Sequence, residues 1–116
     1  MKLFIENELN KINYFKDLDS MTKNDIIFSM ERISFNQDTY ICRCGDLVDR
    51  MILIQEGIVE IEMEYEADNK IIIERLTRGS IINHRSFLPE VNDEADTDFK
   101  CKTFVSAFIL KTKSID

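Results

Sequence analysis

The sequence predicts an α+β domain: a jelly-roll-like antiparallel β-sandwich of about eight short strands, preceded by a short helical bundle. Three observations predict it. Apolar residues recur at helical spacing only in the first 32 or so positions, and from Ile33 onward they alternate or form short runs. The three glycines, Gly45, Gly57 and Gly79, fall between such runs, where turns belong. Seventeen isoleucines against three alanines and one proline make a composition suited to strands.

Ile5, Leu9 and Ile12 recur at helical spacing with Glu6, Glu8, Asn10 and Lys11 turned away, which predicts a helix over 3–15. Phe15 and Leu18 extend its apolar edge. Asp19-Ser20-Met21-Thr22 offers caps for a second helix over 23–32, carrying Ile26, Ile27 and Met30. Strands are expected over 35–43, 50–54, 71–76, 80–83, 99–104 and 105–111. The clearest is Val59-Glu-Ile-Glu-Met-Glu-Tyr-Glu66, whose alternation predicts one buried face and one acidic, wet face. Gln55-Glu56-Gly57 before it predicts a hairpin turn. The chain is expected to form one domain over 1–116, with a helical segment at 1–32 and the strands at 33–113.

Charge narrows the partners. With 22 acidic against 15 basic residues the chain carries −7, which disfavours nucleic acid and anionic lipid and suits a cationic partner. The longest apolar runs, such as Ala107-Phe-Ile-Leu110, fall far short of the roughly 20 residues of a membrane span, so no direct membrane insertion is expected. The start of the chain lacks the apolar stretch of a secretory signal, so the expected location is intracellular. Three cysteines without a CxxC give neither a disulfide framework nor a zinc ribbon, and reduced thiols are expected.

Cys44-Gly45-Asp46, Met51-Ile-Leu-Ile54, Glu56-Gly57-Ile-Val-Glu-Ile61 and Leu76-Thr-Arg-Gly79-Ser80 follow one another as turn, strand, hairpin and turn. In order and spacing this series resembles the cyclic nucleotide-binding domain family, and Leu9, Ile12, Phe15 and Leu18 look like its opening helix, so the resemblance covers about residues 9–115. It implies a β-roll fold, with Gly45, Asp46 and Gly57 at structural turns. It also implies a phosphate-binding cassette after Gly79, in which a Phe-Gly-Glu sequence opens a short helix and an arginine follows. Backbone amides and the arginine would hold the cyclic phosphate, and the glutamate would accept from the ribose hydroxyl.

The matching cassette here comprises Gly79, Ser80, Ile82, Asn83, His84, Arg85 and Ser86, with Asn83 in place of the glycine and His84 in place of the carboxylate. Where the arginine would fall, Glu90, Asp93, Glu94, Asp96 and Asp98 supply five carboxylates and no base, which raises the energy of a bound anion. Arg85 is the one guanidinium in the segment. Lys100 and Lys102 are expected to point to solvent. In the family the last strand is followed by two helices, the second a lid over the base, and this sequence reaches Asp116 where the first would begin.

Cys42, Cys44, Cys101 and His84 have the atoms of a Cys₃His zinc site but not a recognised spacing. The resemblance would place Cys42 near Cys101 on neighbouring strands; free thiols without metal are expected. One histidine, no nucleophile elbow and no P-loop argue against an enzyme. No cofactor is expected. The resemblance therefore implies a regulatory or architectural module with protein partners in a larger assembly, such as a cation channel at the cytosolic face of a membrane or a kinase regulatory subunit. Binding of cAMP or cGMP is expected to be weak or absent. The alternatives are a cAMP or cGMP sensor using Arg85 and a metal-stabilised interaction domain.

Overall fold

The computed structural model describes residues 2–46, 50–66, 69–82 and 97–111. Three helices lead the chain: α1 (Lys2–Leu9), α2 (Asn13–Lys16) and α3 (Ser20–Ser29). The single helix expected over 3–15 is broken, because the Lys11 and Ile12 amides donate to Glu8 and Leu9, three residues back, and tighten the chain into a turn. Past that turn Leu9 and Phe15 both reach the same core. Asp19 caps α3 by accepting from the Thr22 amide at 2.7 Å, so the helix starts at Ser20, three residues before the expected position. It also ends earlier, since Glu31 already pairs with Ile109.

Eight strands follow among the described residues: β1 (Glu31–Phe35), β2 (Tyr40–Cys42), β3 (Arg50–Glu56), β4 (Val59–Glu66), β5 (Asn69–Leu76), β6 (Ile81–Ile82), β7 (Asp98–Cys101) and β8 (Val105–Lys111). The strand expected over 35–43 is two strands around a turn at Asp38, whose φ of 68° is one that aspartate tolerates. The expected strand over 99–104 shortens to β7 because the chain bends at Lys102 and Thr103 toward β8. The strands form two antiparallel sheets, β1-β8-β3-β6 and β2-β7-β4-β5. This is the β-roll the sequence implied.

β3 explains the layering. Met51 and Leu53 face the helices, joining Ile5, Leu9, Phe15, Ile26, Ile27, Phe108 and Leu110. Ile52 and Ile54 face the second sheet, joining Val59, Ile82, Cys101, Val105, Ala107 and Ile109. All four are fully buried, because helices cover one side of this sheet and the second sheet covers the other. Among the described residues the second sheet has no such cover on its outer side, where Glu62, Lys70 and Asp98 lie.

One expectation about β4 fails there. Val59 is fully buried, but Met63, two pleats further on the same side, is 40% exposed, while Glu60 on the supposedly wet face is only 6% exposed. Glu60 lies low because Arg75 Nε donates to its carboxylate at 2.9 Å and the Lys102 ammonium stands 3.7 Å away. Cross-strand register, Glu60 opposite both Arg75 and Lys100, converts a wet face into a covered one.

Candidate functional site

The turn from β5 into β6 is built by backbone geometry. Gly79 holds φ at 90°, in the left-handed region where a side chain is disfavoured. Its amide donates to Ile54 O at 2.9 Å, Ile54 donates back to Ser80 O at 2.9 Å, and the Thr77 amide donates to Ser80 Oγ at 3.2 Å. The turn is thereby fixed to the central strand β3. Of the cassette residues, Gly79 and Ser80 occupy this turn, whereas Ile82 is 2% exposed, pairs with Ile52 and belongs to the core. Asn83, His84, Arg85 and Ser86 lie outside the described residues, as do Glu90, Asp93, Glu94 and Asp96. Gly45 (φ 95°) with Asp46 forms the turn after β2, where Asp46 accepts from the Arg43 amide, and Gly57 (φ 108°) follows β3.

Contacts that no sequence pattern announces hold the same turn from outside. The Arg78 guanidinium stacks 4.2 Å above the Phe4 ring and donates to Gln55 O at 2.9 Å. Glu8 lies over Gly79 so closely that a β-carbon there would come within 2.9 Å of its carboxylate oxygen. Helix α1 is thus seated on the turn that opens the cassette. Phe4, Glu8 and Arg78 are far apart in sequence and unmarked by spacing; only the fold joins them.

Asp98, one of the five carboxylates where an arginine would fall, belongs to β7. Lys70 donates to it at 2.8 Å and the Cys44 amide at 2.7 Å, and these bonds, that from Lys70 first, hold its carboxyl below the usual aspartate range. The same bond raises the Lys70 ammonium above its ordinary value. Tyr40 joins the group by donating to Glu62 at 3.2 Å, with Arg43, Lys70 and Lys100 all within 5.7 Å of its ring centre. Lys102 is exposed, as expected, with its ammonium 3.7 Å from Glu60, whereas Lys100 is half-buried with its ammonium 5.7 Å from the Tyr40 ring centre.

The cysteines take separate positions. β2 pairs with β7, Cys42 opposite Phe99; Cys42 and Cys101 are buried and Cys44 is exposed. Burial pushes the Cys101 thiol up to about 11, which keeps it protonated and inert at neutral pH. Among the described residues no three His, Cys, Asp or Glu side chains gather as a metal group. No described helix is long and apolar enough to cross a membrane.

Helices followed by two antiparallel four-stranded sheets, with glycines at positive φ in the turns, define a β-roll domain. The cyclic nucleotide-binding domain model matches residues 32–116, and the chain belongs to that family. No relative was found among curated protein sequences. The structure is similar to cAMP-bound PfPKA-R, with a TM-score of 0.86 at 20% identity over 97% of this chain and 39% of that one. It is similar to a cyclic nucleotide-binding-like protein from Brucella abortus, TM-score 0.82 at 15% identity over 95% of this chain and 91% of that one. It is also similar to the regulatory subunit of a cAMP-independent protein kinase A from Trypanosoma cruzi bound to guanosine, TM-score 0.75 at 21% identity over 97% of this chain and 39% of that one. The chain spans about two fifths of the length of the two kinase regulatory subunits.

Proposed function

We propose that this chain is a regulatory module of a larger assembly, of the kinase regulatory-subunit kind before the cation-channel kind, that does not hold a cyclic phosphate and acts through protein contacts. It is not an enzyme. The observation that carries this is the sequence after Ile82: His84 stands in the carboxylate position, and Glu90, Asp93, Glu94 and Asp96 occupy the stretch where an arginine is expected. The described cations flanking that stretch are engaged elsewhere, Arg78 on Phe4 and Gln55 O, Lys100 on Tyr40 and Lys102 on Glu60. Each lost charge-assisted hydrogen bond costs about 1.5–3 kcal/mol. Two such losses weaken a micromolar site by roughly two to four powers of ten.

A second reading concerns an uncharged ligand. The Trypanosoma cruzi regulatory subunit is bound to guanosine, a nucleoside with no phosphate. Carboxylates that repel a cyclic phosphate can accept hydrogen bonds from ribose hydroxyls, so a nucleoside fits an acidic cassette better than a nucleotide does. Calorimetry of the 116-residue chain with cAMP, cGMP and guanosine separates the cases. The proposal expects neither cyclic nucleotide to bind below about 0.1 mM. Guanosine binding at micromolar concentration would establish the nucleoside reading. Micromolar cAMP binding lost in Arg85→Ala would overturn both in favour of a cyclic nucleotide sensor.

A further inference from the structure

On the outer face of the β2-β7-β4-β5 sheet the carboxylates between the strands are already held by their own chain. Arg75 and Lys102 hold Glu60, Tyr40 and Lys70 hold Glu62, and Lys70 with the Cys44 amide holds Asp98. Two cations of this face are left over. The Arg43 guanidinium and the Lys100 ammonium lie 4.1 and 5.7 Å from the Tyr40 ring centre, and neither makes an ion pair among the described residues. Arg43 acts on Asp98 only through space, the weakest of the influences on that carboxyl. A ring attracts a cation through its quadrupole and does not cancel its charge. A chain of net charge −7 therefore keeps two unneutralised positive charges about one tyrosine. The fold brings them there: register sets Lys100 of β7 opposite Tyr40, and Arg43 leaves the end of the edge strand β2, exposed.

We propose that Arg43 and Lys100 dock a short acidic segment of a partner protein. Charge complementarity selects this occupant. With Glu60, Glu62 and Asp98 engaged, the charge left unspent around Tyr40 is positive, and neighbouring carboxylates on one peptide can meet both cations. A small basic patch on an acidic molecule suits a short segment. An anionic membrane or a nucleic acid would extend past it to the exposed Glu64 and Glu66 of β4 and to the rest of the −7 chain, which repel it. This docking presupposes, as proposed above, that the chain acts through protein contacts.

Fluorescence anisotropy of the 116-residue chain with a dye-labelled peptide, Ser-Asp-Glu-Glu-Asp-Ser, tests this at low salt beside the amide counterpart Ser-Asn-Gln-Gln-Asn-Ser. The acidic peptide is expected to bind with a Kd below about 1 mM, and more weakly as salt rises, while the amide peptide does not bind. Arg43→Gln combined with Lys100→Gln should weaken binding about tenfold or more. Lys11→Gln combined with Lys16→Gln removes the same charge from exposed positions on the helical side and should leave the Kd nearly unchanged. Amide chemical shifts of the parent, read by NMR during the titration, need no substitution and are expected to move at Arg43, Cys44 and Lys100. Equal losses in the two double variants would overturn the proposal, because bulk charge would then account for the binding. So would an acidic peptide that does not bind, or shifts that fall elsewhere on the chain. Calorimetric binding of cAMP alongside peptide binding would support this surface and overturn the proposed function, so the two fail separately.

Discussion

Gly45 and Gly57 share a backbone class but not an environment. At Gly45, φ 95°, a β-carbon would meet nothing within 4 Å; at Gly57, φ 108°, it would collide with Phe104 O and lie 2.9 Å from Val105 Cα. Gly45→Ala should therefore cost about 1 kcal/mol, the conformational term alone. Gly57→Ala adds a backbone collision and should cost about 2–4 kcal/mol. Urea unfolding of the two variants checks the order, and equal losses would show that the β7–β8 turn yields freely. Both turns were legible in the sequence, since glycine between apolar runs marks a turn whatever surrounds it. The burial of Glu60 was not legible, because its cause is Arg75 on another strand. Arg75→Ala is expected to destabilise more than Glu60→Leu, since the first strands a covered carboxylate with only Lys102 near it, and the second frees an arginine that water can solvate. Thermal melts showing the reverse order would mean that Lys102 alone suffices for Glu60.

At the scale of the element, β2, β4, β5 and β7 are joined on their outer side by Tyr40, Glu62, Lys70 and Asp98. The group ties stability to pH. Lys70, and then the Cys44 amide, depress Asp98, so its contribution is complete above the unfolded value of about 3.9 and is lost as pH falls through the lower folded value. Lys70 is raised, so its share is complete below about 10.4 and fades as pH climbs through the higher folded value. Asp98→Asn should be less stable than the parent at neutral pH, with the gap narrowing below about pH 4. Urea unfolding across a pH series measures it; a constant offset at every pH would remove Asp98 from the account. β8 was found in full from its apolar run, as its residues are nearly all buried. The second expected helix was misplaced by three residues at each end, because capping by Asp19 and the pull of β8 on Glu31 set its limits, and apolar spacing registers neither.

At the scale of the whole molecule, fold and family were readable because the turns come in a fixed order; of the cassette read from the sequence, Gly79, Ser80 and Ile82 are described, and Ile82 belongs to the core. What the sequence could not convey is which distant groups lean on the site, such as Glu8 over Gly79 and Lys70 on Asp98. The sheet order carries one more consequence. β8 lies between β1 and β3, so these two strands wait on residues made long after them: Glu31 pairs with Ile109 and Arg50 with Lys111. On a ribosome β1 and β3 emerge well before their common neighbour, and among the described strands only the β4–β5 hairpin can close locally. Contacts this distant in sequence place the domain among slow folders, in the range of milliseconds to seconds. Until β8 arrives, the isoleucines of β3 are exposed to whatever else is nearby, so the nascent chain is the stage of this protein's life most in need of a chaperone.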